Sequence, residues 1–93
     1  MADAVIWKQE LLPGERIYKI PEGARILSVA IQRNTPQMWF LCDPKMPPEE
    51  RTVILVGTGQ PFDLAGTYDF VGTMLTEDQT FVSHVFALVR ISQ

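Results

Sequence analysis

The stretch Thr80-Phe81-Val82-Ser83-His84-Val85-Phe86-Ala87-Leu88-Val89-Arg90-Ile91 decides the fold class. Its apolar residues fit two periods. Val82, Val85, Phe86 and Val89 recur at helical spacing. In an extended chain, Phe81, Val85, Val89 and Ile91 share one face, and His84, Phe86 and Leu88 share the other. Periodicity leaves both open. The stretch is rich in β-branched and aromatic residues, which fit a pleated surface better than a helix. It reads as a strand over about 80–91, apolar on both faces for most of its length.

Upstream, turn residues cut the chain into short pieces. The breaks are Pro13-Gly14, Pro21-Glu22-Gly23, Asn34-Thr35-Pro36, Pro44, Pro47-Pro48, Gly57, Gly59, Pro61, Gly66 and Gly72. The runs between them predict strands at about 4–11, 15–20, 25–33, 37–43, 52–57 and 67–75. In the third, Leu27, Val29 and Ile31 alternate with Ser28, Ala30 and Gln32, as in a half-buried strand. Val53-Ile54-Leu55-Val56 is apolar on both faces, which suits a central or interface strand. Pro47-Pro48-Glu49-Glu50-Arg51 suits one turn of helix, with proline and acidic residues in its first turn. The expected fold is an all-β, compact antiparallel sandwich or partly open barrel of six to seven short strands, in one domain over 1–93.

Composition bounds the function. The chain has 93 residues, 46% hydrophobic and 20% charged, a foldable balance. Eight Lys and Arg against eleven Asp and Glu leave a net charge of −3, which argues against coating a DNA or RNA polymer. Cys42 is the only cysteine, so no disulfide forms within the chain. No apolar run approaches the roughly 18 residues of a membrane helix. Met1-Ala2-Asp3-Ala4 lacks the basic and apolar regions of a signal peptide, which points to a cytosolic protein. Two Trp, two Tyr and five Phe are many for so small an interior, so part of that surface is expected against another subunit or a ligand.

Reactive sets are not apparent. Cys42, between Leu41 and Asp43, reads as a small core residue. One Cys and one His lack the ligand spacing of a zinc site, and Ser28 and Ser83 have no glycine elbow. The carboxylates are scattered over turns, so no acid–base pair is expected and no catalytic residue, metal or cofactor is assigned. The binding candidates are of another kind. Trp39 and Trp7 are core or edge aromatics or stacking surfaces for a base. Lys8 and Arg51 suit a phosphate, although Arg51 equally suits Glu49, Glu50 or Asp43. Thr58, in Gly57-Thr58-Gly59-Gln60-Pro61, and His84 offer polar contacts. The bland alternatives are a strand-end turn for the loop and a core histidine tied to backbone for His84. Lys19, Arg25 and Arg33 read as solvated charges.

These motifs occur in a familiar order. Ile20-Pro21-Glu22-Gly23-Ala24-Arg25-Ile26-Leu27-Ser28-Val29 resembles a block of a family of small phage proteins. Trp39 before Asp43-Pro44, the turn Pro48-Glu49-Glu50-Arg51, the loop Gly57-Thr58-Gly59-Gln60-Pro61, and the blocks Phe70-Val71-Gly72-Thr73 and Ser83-His84-Val85-Phe86 are similar to its later motifs. The likeness spans most of residues 5–87. Phe70 replaces a usual Tyr, Ser83 departs before His84, and both ends differ, which leaves fine ligand preference open. The resemblance implies an anti-CBASS sponge. Such a protein is a tetrameric homo-oligomer in the cytoplasm of the infected bacterial host. It sequesters a cyclic dinucleotide, 3′,3′-cyclic GMP–AMP, without cleaving it. The alternative is a structural or protein-interaction accessory phage protein with no nucleotide ligand.

Overall fold

The computed structural model describes residues 3–63, 66–76, 78 and 80–91, with the side chains of Arg90 and Ile91 outside the description, as are Met1 and Ala2. It contains seven strands: β1 (Val5–Glu10), β2 (Ile17–Pro21), β3 (Arg25–Gln32), β4 (Thr35–Cys42), β5 (Pro48–Gly57), β6 (Gly66–Leu75) and β7 (Val82–Ile91). All pairings are antiparallel. One sheet has the order β1-β4-β3 and the other β2-β5-β7-β6. The sheets meet where β3 packs on β6. The result is an all-β sandwich, as the strand pattern predicts. None of the described residues forms a helix long and apolar enough to cross a membrane.

The core lies between the sheets. Tyr18 and Ile20 from β2, Met38, Phe40 and Cys42 from β4, Val53, Met74 and Val85 all turn inward and are buried. From Met38 onward β4 alternates: Met38, Phe40 and Cys42 are buried, while Trp39 and Leu41 are half-buried on the outer side. Cys42 is a core thiol, and burial pushes its pKa up. The Tyr18 hydroxyl accepts from the Leu12 N–H at 3.1 Å and donates to the Glu15 carbonyl at 3.1 Å, tying the β1–β2 connection to β2. Burial is the main cause raising its pKa.

Val53-Ile54-Leu55-Val56 is the central strand its composition predicts. β5 lies between β2 and β7, and Val53, Ile54 and Val56 are buried. Residues 82–91 form the strand expected. Their two faces differ, however. Val85 and Ala87 are buried, His84, Phe86 and Leu88 are half-buried, and Val89 is 54% exposed.

Two local expectations are corrected. The helical turn over 47–51 does not form. Residues from Pro48 onward are extended, because β2 offers a partner: Pro21 lies opposite Pro48, Ile20 opposite Glu49, Lys19 opposite Glu50 and Tyr18 opposite Arg51. Proline at the first residue of a strand is tolerated, and the pairing outweighs weak end-charge preferences. The reversal lies just before it, where the Met46 N–H reaches the Asp43 carbonyl and the Lys45 N–H reaches the Asp43 carboxylate. In β3 the pairing with β4 slips between Ile26 and Ser28. This bulge inserts Leu27 as an extra residue. Ile26, not Leu27, therefore joins Val29 and Ile31 against the core, and Leu27 is 40% exposed.

Gly72 lies where β6 packs closely on Val29 of β3. A Cβ there would sit 3.1 Å from Val29 Cγ2. Gly72→Ala should cost about 1–2 kcal/mol through overpacking. In a denaturant cycle with Val29→Ala, the double mutant should be more stable than the summed single losses imply, by at least about 0.5 kcal/mol. Simple additivity would show that the contact does not matter.

The hairpin joining β6 to β7 is held by a carboxylate. Asp78 accepts from the Thr76 hydroxyl at 2.6 Å and from the Thr80 N–H at 3.0 Å. The Thr76 hydrogen bond, first, and the Thr80 backbone bond hold its pKa down at about 2, against 3.8 for the free group. A depressed folded-state pKa stabilises the fold above the unfolded value, and the gain is lost as pH falls through the folded one. Asp78→Asn should flatten the pH dependence of melting between about 4 and 2 relative to wild type. Identical slopes in that window would exclude the role.

Candidate functional site

The six residues singled out in the sequence do not converge on one site. They fall in four places. Thr58 and His84 do meet. The Thr58 hydroxyl lies 2.7 Å from His84 Nε2, and the Thr73 hydroxyl lies 2.9 Å from Nδ1. In either neutral tautomer one nitrogen donates and the other accepts, so both hydroxyls fit. The bonds pin the loop after β5 onto the outer face of the four-stranded sheet. That loop closes on itself: Gln60 N–H reaches the Gly57 carbonyl, and Gln60 Oε1 accepts from Gly57 N–H, each at 2.9 Å. Gly59 turns at φ 83°, where a side chain would be strained. Phe62 then packs on Phe86, with ring centroids 5.2 Å apart. Thr73, which completes the histidine's bonding, stands in the sequence only as the last residue of the block Phe70-Val71-Gly72-Thr73, and its nearness to His84 comes from the pairing of β6 with β7.

Arg51 faces inward. Its guanidinium donates to the Ala24 carbonyl at 2.7 Å and lies 3.7 Å from Glu49. It lines a wide cleft of about 1520 Å3 between β3 and the ends of β5, β6 and β7. Two guanidiniums, Arg25 and Arg51, face three carboxylates there, Glu49, Glu50 and Asp69. Such a balance disfavours a doubly charged anion. Trp7 lies on the core-side face of edge strand β1, opposite Phe40, and is 46% exposed.

Lys8 and Trp39 are brought together. The β1–β4 register places Lys8 opposite Trp39, and the β4–β3 register places Ser28 on Trp39's other side. All three lie on the outer face of the three-stranded sheet. The half-buried indole is thus flanked by a cation and a small hydroxyl. Next along the same face, Glu10, Gln37 and Ala30 form a row, followed by Thr35 and Gln32. Lys8, Glu10, Gln32, Arg33, Thr35 and Gln37 line a cavity of about 310 Å3. Two cations there face one carboxylate, so this cavity is locally positive in an acidic protein.

Arg33 reaches this rim through the β3–β4 hairpin. Arg33 and Asn34 have φ of 52° and 63°, the left-handed pair that a two-residue hairpin loop requires. Arginine is an unusual residue there, since asparagine, aspartate or glycine carries less strain. Gln37 is 7% exposed, a buried polar residue on the otherwise solvated face. Arg33 reads from sequence as a solvated turn charge, and Gln32, Gln37, Thr35 and Glu10 carry no motif. The one sequence signal is Gln37 two residues before Trp39, which puts both on one face of a strand.

Among the described residues, no group of three or more His, Cys, Asp or Glu is placed to hold a metal ion. No curated protein and no solved structure matches this chain. One family does, over residues 2–92, and the chain belongs to it: the family described as a domain of unknown function, DUF7352.

Proposed function

We propose that the protein is a non-catalytic binder that holds a cyclic dinucleotide on the outer face of its three-stranded sheet. The observation that carries this reading is the register of β1, β4 and β3, which assembles Trp39, Lys8 and the Arg33 rim on one solvated surface. An indole supplies a stacking platform for a base, and Lys8 and Arg33 supply charged donors for the ligand's acceptors. Tight holding without cleavage needs no acid–base pair. The motif order that resembles the phage family supports the same ligand class, with 3′,3′-cyclic GMP–AMP favoured. On this reading the protein acts in the cytoplasm of an infected bacterium, where it lowers the free concentration of a CBASS signal.

A homo-oligomer, with a tetramer favoured, belongs to the same proposal. Ile17, Leu27, Phe70 and Val89 line the wide cleft and are each at least 40% exposed. Exposed apolar surface of this kind marks a contact surface for another chain. That observation also favours the second reading, an accessory interaction protein with no nucleotide ligand.

Calorimetric titration of the wild type and Trp39→Ala with a panel of cyclic dinucleotides tests the choice, with sedimentation on the same samples. Free ligand at about 100 times Kd should add about 2.7 kcal/mol to stability. A flat titration across the panel would leave the accessory reading in place.

A further inference from the structure

Resting on the nucleotide-binding reading, we infer that the cavity over Gln37 is a base-edge subsite that selects guanine. Three observations on the same face support it. First, Gln37 is 7% exposed, yet none of the described hydrogen bonds involves its side-chain amide. Among the described residues, no side-chain nitrogen or oxygen is both fully buried and without a partner, so this amide still touches solvent, through the cavity it lines. A carboxamide in such a place has unused donors and an unused acceptor aimed at whatever enters.

Second, Lys8 Nζ donates to Gln32 Oε1 at 2.9 Å. Lys8 is on β1 and Gln32 on β3, with β4 between them. Lys8 sits level with Trp39, and Gln32 level with Thr35, so the bridge runs diagonally over Gln37. It is a clasp built from two exposed side chains. A ligand that satisfies Lys8 and Gln32 separately can open it at little cost, because exposed polar pairs contribute little.

Third, the lining is mixed in a specific way. Glu10 is acceptor-only, Lys8 and Arg33 are donor-only, and Gln37 is both. A phosphate would meet the like charge of Glu10. Adenine lacks the N1–H: its Watson–Crick edge sets one amino group beside the N1 acceptor, so Glu10 would gain a single hydrogen bond and face a lone pair. Guanine presents acceptors at O6 and N7 and an amino group at N2. In this subsite Glu10 accepts from the N1–H and the 2-amino group, while Lys8 and Gln37 donate toward O6 and N7. At about 310 Å3 the cavity is at the small end for ligand sites, which suits one base rather than a whole dinucleotide. Ala30, opposite Gln37, keeps its β3 side low.

The test is calorimetric titration with cyclic di-GMP and cyclic di-AMP against wild type, Glu10→Gln and Gln37→Leu. Wild type should bind cyclic di-GMP at least about tenfold more tightly, the scale of one charge-assisted hydrogen bond. Both variants should bring that ratio toward one, chiefly by weakening cyclic di-GMP. Glu10 is exposed, so its variant keeps the test sound if Gln37→Leu melts early. A wild-type ratio near one, or a ratio preserved in both variants, overturns the subsite. Equal binding of both ligands that still depends on Trp39 overturns only the guanine inference. Failure of both ligands to bind overturns the nucleotide reading with it.

Discussion

Met38→Ala should lower the stability of this protein by about 2–5 kcal/mol, the range for truncating a fully buried methionine. Met38 is 0% exposed and lies in β4, the middle strand of its sheet, with Gln9 and Val29 as cross-strand neighbours. Its side chain enters the shared core beside Phe40 and Cys42. The β strands around it are held by backbone bonds and collapse poorly into a void, which favours the upper part of the range. Small domains total only about 5–15 kcal/mol, so the loss is a large fraction of the whole. At this length it corresponds to a fall in melting temperature on the order of 10–30 °C. Met38→Leu conserves volume and should cost under about 1.5 kcal/mol. Thermal and denaturant melts of the two variants check both numbers. A Met38→Ala protein that melts within a few degrees of wild type would mean that the two sheets do not share this core.

The second large effect concerns ligand. Trp39→Ala should weaken cyclic dinucleotide binding by roughly 5–150-fold, the equivalent of about 1–3 kcal/mol of base stacking. The indole is half-buried on the outer face, so part of it remains exposed to solvent. Trp39→Phe should keep part of the affinity, because every aromatic face stacks to some degree. Trp7→Ala tests the other indole, which lies on the opposite face of β1 from Lys8. Equal losses in Trp7→Ala and Trp39→Ala would move the stacking surface away from the three-stranded sheet. Because Lys8 and Arg33 act through charge, affinity should also fall as salt rises, while the Trp39 contribution should change little.

Much of the architecture is legible from local chemistry. Each predicted strand has a counterpart, and Val82–Ile91 is extended as its β-branched and aromatic content implies. Cys42 is the core residue its neighbours suggest. The failures have identifiable causes. A helix start and a strand start can carry the same residues, and Pro47-Pro48-Glu49-Glu50 is such a case. Only the presence of β2 alongside decides it. The bulge at Leu27 leaves no trace in Ser28, Ala30 and Gln32, which alternate as they would in a regular strand. One inserted residue then exchanges the faces on which Ile26 and Leu27 lie.

The candidate site was less legible for a different reason. Trp39 and Lys8 stand out by type, but Trp7, Arg51, Thr58 and His84 stand out equally. Arg51 proves to be tied to Ala24 and Glu49, and His84 is satisfied by Thr58 and Thr73. Gln37 has no distinguishing context in the chain. It becomes notable only as a largely buried residue whose amide faces the cavity under the Lys8–Gln32 bridge.

The all-β class and the position of most strands, the start of β5 apart, were therefore settled by the chain itself, because backbone preference and turn chemistry act over a few consecutive residues. Which polar and aromatic groups share a surface was settled by tertiary pairing alone. Residues 8, 32 and 39 are distant in the chain and meet only through the order β1-β4-β3 and its register. That register depends on long-range burial and on a bulge, and no short window of sequence contains either.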